Sequence, residues 1–137
     1  MLCRDVMTPN PTTCAMECSA RAAASVMAED DVGIVPVIDS KTRQVIGVVT
    51  DRDLCLKVVA EGKHPEYVKI SEVMSGNPVI CRPDDDIHQC LEQMKRHWVR
   101  HCVGIISQRD IVLNLTDAQE VYETVREICR PGRVRAA

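Results

Sequence analysis

The chain contains no phenylalanine, one tryptophan (Trp98) and two tyrosines (Tyr67 and Tyr122). With so few rings, base stacking on a single-stranded nucleic acid has almost no platform. Any core must be built from aliphatic residues, methionine, alanine and cysteine. No run approaches the ~18 consecutive apolar residues of a membrane helix. The opening residues Met1-Leu2-Cys3-Arg4-Asp5 carry no apolar signal core, which argues against secretion and for a cytoplasmic location. Positive charge is not in excess: the formal net charge is -3, so bulk electrostatics give nucleic acid no pull. The glycine patterns of Walker and dinucleotide-binding loops are missing. No Ser-His-Asp or Cys-His arrangement has motif support, and the chain is expected not to be an enzyme.

Cysteine is plentiful but unpatterned. The eight cysteines, at 3, 14, 18, 55, 81, 90, 102 and 129, never form a C-x-x-C. They read as reduced thiols that act as small hydrophobes. A lesser possibility is that Cys14 and Cys18 gather with Cys81 and sense a metal or an oxidant. His97 and His101 are spaced four apart, but no glutamate completes an H-E-x-x-H motif, and a structural role is favoured over a metal site. Asp84-Asp85-Asp86 reads as a helix cap. The basic tail Arg130-Pro131-Gly132-Arg133-Val134-Arg135 reads as a short solvated end.

Against these absences stands an internal duplication. Of 137 residues, 45% are hydrophobic and 27% charged, enough for one compact domain or two small repeats sharing a core. Val6-Met7-Thr8-Pro9-Asn10-Pro11 recurs as Val73-Met74-Ser75-Gly76-Asn77-Pro78, 67 residues later. Gly47-Val48-Val49-Thr50-Asp51-Arg52-Asp53-Leu54 recurs as Gly104-Ile105-Ile106-Ser107-Gln108-Arg109-Asp110-Ile111, 57 residues later. Ordered repeats of this kind mark a duplicated structural unit.

The first copy divides by pattern. A short strand covers 12–14. Ser19 caps a helix from Ala20 to about Glu29. Ile34-Val35-Pro36-Val37-Ile38 is a β-branched strand whose proline points to an edge or a strand start. Val45 to Val49 forms its hairpin partner. Asp51 caps a helix from Arg52 to about Glu61, closed by Gly62. The second copy begins with a strand at Pro78-Val79-Ile80-Cys81. A helix follows from Ile87 to about Trp98, another begins near Gln108, and a last one covers roughly 117–129. The predicted fold is α/β of the α+β type, two β-α-β-β-α repeats spanning 1–66 and 67–137. The second repeat ends in the extra helix and the basic tail.

The two offsets differ by ten, so nothing in the second copy matches Val35 through Gln44. Either that copy has lost its hairpin, or ten residues belong between His101 and Cys102 that this sequence omits. An orphaned buried ladder is costly, which favours the second.

These segments resemble the CBS domain family, named for cystathionine β-synthase, over nearly the whole chain. The marks are Val6–Pro11, Ile34–Asp39 and Gly47–Asp53 in one copy, and Val73–Pro78 and Gly104–Asp110 in the other. The resemblance implies two repeats packed around a pseudo-twofold axis, and two such chains joined as a homodimer. It also implies clefts that hold AMP, ADP, ATP or a related adenosyl compound as a regulatory ligand rather than a cofactor. A partner protein, not identified, would read the ligand state.

The residues supply a rationale for such a ligand. A carboxylate can accept hydrogen bonds from both ribose hydroxyls, and a helix N-terminus favours phosphate. By resemblance, Thr50 with Asp53 and Ser107 with Asp110 are the ribose-binding pairs. Arg52, Arg109, Arg100 and His101 are the phosphate candidates. Arg100 and His101 correspond to uncharged Gly33 and Ile34 in the first copy, so the two sites are expected to be unequal. Thr12, Thr13, Val35, Pro36, Val79 and Ile80 would line the adenine slot. A solvated helix face explains Arg52 and Arg109 equally well, and a simple helix cap explains each hydroxyl–carboxylate pair on its own. A ligand-free dimerisation scaffold remains open, as does, more remotely, a thiol or metal sensor.

Overall fold

The computed structural model describes residues 1–97 and 106–128. The chain is continuous from 1 to 137. The His101–Cys102 junction, where the hairpin residues have no counterpart, lies outside the described residues. The α/β expectation holds: helices combine with one four-stranded sheet. The chain divides into two compact units, Asn10–Pro78 and Met1–Pro9 with Val79–Ala137.

The Asn10–Pro78 unit holds the sheet, in the order β1-β2-β3-β4. β1 (Cys14–Ala15) runs parallel to β2 (Ile34–Ile38), and β2 is antiparallel to β3 (Val45–Thr50). β3 in turn is antiparallel to β4 (Ser75–Gly76). Pro36 was expected at an edge or a strand start, yet β2 is an inner strand. β1 pairs only with Val37 and Ile38, so at Pro36 the strand has a single neighbour and the missing N–H is tolerated. α2 (Ala20–Asp30) starts where the Ser19 hydroxyl accepts from Ala22 N at 3.1 Å and stops at Asp31, whose φ of 53° is left-handed. Its Ala20, Ala23 and Met27 bury against Val35, Val37, Val49, Val58 and Val68. The hairpin turns on Asp39, whose carboxylate accepts from the backbone N–H groups of Lys41 and Thr42. Those two donors hold it below the usual carboxylate range.

α3 (Asp51–Leu54) continues into a π-helical turn, Cys55–Val59, instead of the plain helix predicted to Glu61. Gly62, at φ 67°, ends it as expected.

In the other unit, α1 (Cys3–Val6), α5 (Ile87–His97), α6 (Gln108–Asn114) and α7 (Ala118–Ile128) surround a core of Cys3, Val6, Ile87, Cys90, Leu91, Met94, Ile106, Ile111 and Ile128. The strand predicted over 78–81 shrinks to a single bridge residue, Ile80. In the sheet-bearing unit the equivalent strand, β1, pairs with Val37 and Ile38, and those two residues have no counterpart in the second repeat.

Each unit also borrows a short helix from the other repeat. α4 (Ile70–Val73) packs in the core of the Asn10–Pro78 unit, and its counterpart α1 packs with the second repeat. The bonds are equivalent one by one. Ile70 N donates to Cys18 O at 2.8 Å, and Cys3 N to Asp85 O at 2.9 Å. Ser71 N donates to Met16 O at 3.0 Å, and Arg4 N to Pro83 O at 2.9 Å. Ala20 N donates to Val68 O at 2.8 Å, and Ile87 N to Met1 O at 3.0 Å. Every pair is related by the same 67-residue offset.

Candidate functional site

The two strand-to-helix turns singled out by the repeat are built alike. In the sheet-bearing unit, Thr50 N and Oγ1 both donate to Asp53 Oδ2 at 3.0 Å, and Asp53 N donates back to Thr50 Oγ1 at 3.1 Å. In the other unit, Ser107 N and Oγ donate to Asp110 Oδ2 at 2.8 and 2.6 Å, and Asp110 N donates to Ser107 Oγ at 3.3 Å. Each is a capping box. One carboxylate oxygen of each aspartate is committed to the cap, and the other faces outward from it.

The outward oxygens have different company. Asp53 is 1% exposed. Its Oδ1 lies 3.2 Å from Lys57 Nζ, within ion-pair reach but not aligned as a hydrogen bond. Lys57 also donates to Val73 O at 2.9 Å, which fixes its ammonium in place. Asp110 is half-buried, and its Oδ1 accepts from the Thr8 hydroxyl at 3.2 Å. Position 57 of the first repeat corresponds to Asn114, whose side-chain amide donates to the Asp110 carbonyl instead. The second repeat therefore has no lysine at the place that neutralises Asp53.

Other expected site residues are placed unevenly. Arg52 and Arg109 are exposed on the first turns of their helices. Thr12 and Thr13 are exposed, and the Thr12 hydroxyl donates to Asp30 Oδ2 at 2.6 Å. Val35 and Pro36 are buried within β2. Val79 is half-buried and Ile80 exposed. Arg100 and His101 lie outside the described residues, as does the His101 half of the His97–His101 pair. Sequence reading missed Thr8 and Lys57. Thr8 sits inside the repeated Val6–Pro11 motif, and Lys57 stands four residues after Asp53, a spacing that aligns charges on one helix face.

A model of the CBS domain matches residues 3–60 and again 70–117. The chain belongs to the CBS domain family. The first match carries the Thr50–Asp53 turn, and the second begins at α4 and carries the Ser107–Asp110 turn. An uncharacterized Bacillus subtilis protein, YlbB, is 31% identical over 119 residues, covering 81% of this chain and 80% of its own length. A crystal structure of Hypoxic Response Protein I with two coordinated zinc ions superposes with a TM-score of 0.71 at 28% identity, covering 84% of this CBS chain and 99% of that one. The CBS domain protein PAE2072 from Pyrobaculum aerophilum, complexed with AMP, gives a TM-score of 0.75 at 21% identity, over 91% of this chain and 98% of that one. Among the described residues, no helix of this CBS pair is long and apolar enough to cross a membrane.

Proposed function

We propose that this CBS pair is a non-catalytic regulatory module that binds an adenine nucleotide, with the Ser107–Asp110 turn as its principal ribose site. The observation that carries the reading is the half-exposed Asp110 carboxylate, whose Oδ1 accepts a single hydrogen bond among the described residues, from the Thr8 hydroxyl at 3.2 Å. A ribose diol offers two hydroxyl donors in place of that one. Ser107 keeps the carboxylate oriented from the other side, so the acceptor is preorganised. Arg109, exposed on the same turn, is a candidate phosphate cation together with Arg100 and His101. Val79 and Ile80 precede the helix on the adenine side. The AMP complex of a protein with the same fold supports this choice of ligand class. In the first repeat, Thr50 and Asp53 form the lesser site, with Arg52, Thr12, Thr13, Val35 and Pro36 around it, because Lys57 already occupies its carboxylate.

The test is calorimetric titration and thermal shift with AMP, ADP, ATP and S-adenosylmethionine. Ligand at about a hundred times Kd stabilises by about 2.7 kcal/mol, a rise of several degrees in Tm. Asp110→Ala should remove the response, and the nucleotide should be recovered chemically unchanged. A wild-type protein silent to all four compounds, or an undiminished response in Asp110→Ala, would refute the reading.

The same reading includes a homodimer. After each capping-box turn the helix leaves apolar side chains in solvent: Leu56 and Val59 (72% exposed) in one unit, Val112 and Leu113 (69% exposed) in the other. Leu56 and Leu113 are repeat counterparts. Clustered apolar exposure of this kind marks an association surface. Leu56→Glu with Leu113→Glu should convert the dimer to a monomer in sedimentation at micromolar concentration. An unchanged sedimentation coefficient would remove these helices from the interface. Which protein reads the bound state is not identified, and the scheme requires only that it prefer one ligation state.

A further inference from the structure

The second unit contains a group of sulfurs with no part in the nucleotide reading. Cys3 on α1, Cys81 before α5 and Cys90 within α5 place their Sγ atoms within 4.8 Å of one another. Cys3 and Cys90 are buried and Cys81 is half-buried. The residues come from sequence positions far apart, brought together by the exchange of α1 into this unit.

The repeat supplies an internal comparison. By the 67-residue offset, Cys3 corresponds to Ile70, Cys81 to Cys14 and Cys90 to Ala23. All three counterparts belong to the apolar core of the sheet-bearing unit. The fold thus fills these places with isoleucine, cysteine and alanine in one unit, and with three thiols in the other. Packing alone does not call for three thiols.

We propose that Cys3, Cys81 and Cys90 form a zinc(II) site with three thiolate ligands and a fourth position for water on the half-exposed Cys81 side. At a Zn–S length of about 2.3 Å, tetrahedral sulfurs stand roughly 3.8 Å apart, so closing the present group takes shifts of about 1 Å. Three sulfurs and no nitrogen select a soft or borderline-soft ion. Three thiolates around a divalent ion leave one net negative charge, against two around copper(I). Cys3 and Cys90 belong to one buried apolar cluster with Ile87, Leu91 and Met94, and there the smaller residual charge is strongly preferred.

Binding is a proton exchange without redox change. Three S–H bonds are broken, three Zn–S bonds form, and three protons pass to solvent. Burial, with the neighbouring Cys90, pushes the Cys3 thiol up to about 11. Asp85 adds negative charge nearby, while its carboxylate accepts from Arg82 N at 2.8 Å. Near neutral pH the Cys3 thiol is therefore protonated, and zinc must displace that proton. Apparent affinity should rise steeply with pH, by up to about tenfold per unit for each proton released.

The test uses the full chain, reduced and stripped with a chelator, titrated with cobalt(II) and then zinc(II). One cobalt per chain should give thiolate-to-metal charge transfer and tetrahedral d–d bands, both abolished by one equivalent of zinc. Cys81→Ser, at a half-exposed position outside the helices, should lower zinc affinity at least a hundredfold. Cys90→Ala places the side chain of Ala23 in the equivalent position and should do the same while keeping the fold, checked by circular dichroism. Cys55→Ser should change nothing. Absence of the charge-transfer bands, or equal affinity in wild type, Cys81→Ser and Cys90→Ala, overturns the site. The nucleotide response, read in the chelated protein, is independent of either outcome.

Discussion

Asp53→Ala is expected to cost about 3 kcal/mol of stability, well beyond the loss from Asp110→Ala. A helix cap by itself is worth roughly 0.5–2 kcal/mol. At Asp53 the loss goes further. The carboxylate is 1% exposed, so its removal leaves the Thr50 N–H and hydroxyl without their acceptor in a buried place, which costs about 1–3 kcal/mol. The Lys57 contribution is small. Its side chain is 42% exposed, so solvent screens the pair, and it retains the Val73 carbonyl. At Asp110 the carboxylate is half-exposed and water can replace it, so only the cap is lost, about 1 kcal/mol. Urea denaturation of both variants measures the difference. Equal losses would mean that the two turns do not differ as their burial says.

Gly47→Ala should be comparably damaging, at about 2–3 kcal/mol. Gly47 pairs with Val37 on one side and Gly76 on the other. A Cβ there would stand 2.5 Å from Ser75 O and 3.2 Å from Met74 Sδ. The carbonyl is backbone and cannot swing aside, so β4 must separate from β3 or the strand must bend, in the range of overpacking costs. Gly76→Ala is the matched control. It changes the same residue type in the same strand pair, but its Cβ meets nothing within 4 Å, so it should be neutral or slightly stabilising. A Gly47→Ala protein within 0.5 kcal/mol of wild type, by the usual scatter of surface substitutions, would contradict the close approach.

The regular elements were readable because they obey local rules. Ser19 and the alanine-rich stretch after it announce α2, and the helix runs Ala20–Asp30. The Ile34–Ile38 strand and the start of α6 at Gln108 also fall where the pattern placed them. Repetition made the paired hydroxyl and carboxylate at 50/53 and 107/110 conspicuous, and both pairs are in hydrogen-bond contact. What escaped is short or distant. α1 and α4 have four residues each, less than two helical turns, so no apolar period can show. Lysine and leucine at their N-caps give no capping signal. β4, at two residues, is defined by its partner strand alone. The Cys3–Cys81–Cys90 group joins residues without any local spacing motif, and the exchanged helix that assembles it becomes visible only in the folded chain. Cys81, which the sequence set beside Cys14 and Cys18, meets Cys3 and Cys90 within its own unit.

The traded helices also set an order of events at the ribosome. Asn10–Pro78 is one uninterrupted stretch and has all its partners as soon as Pro78 has emerged. Residues 1–9, made ahead of that stretch, are in the opposite situation, since Cys3 must wait for Asp85 and for α5 behind it. This segment is thus made before the Asn10–Pro78 unit and finds its place after it. Until then it trails unanchored from a unit that is already complete.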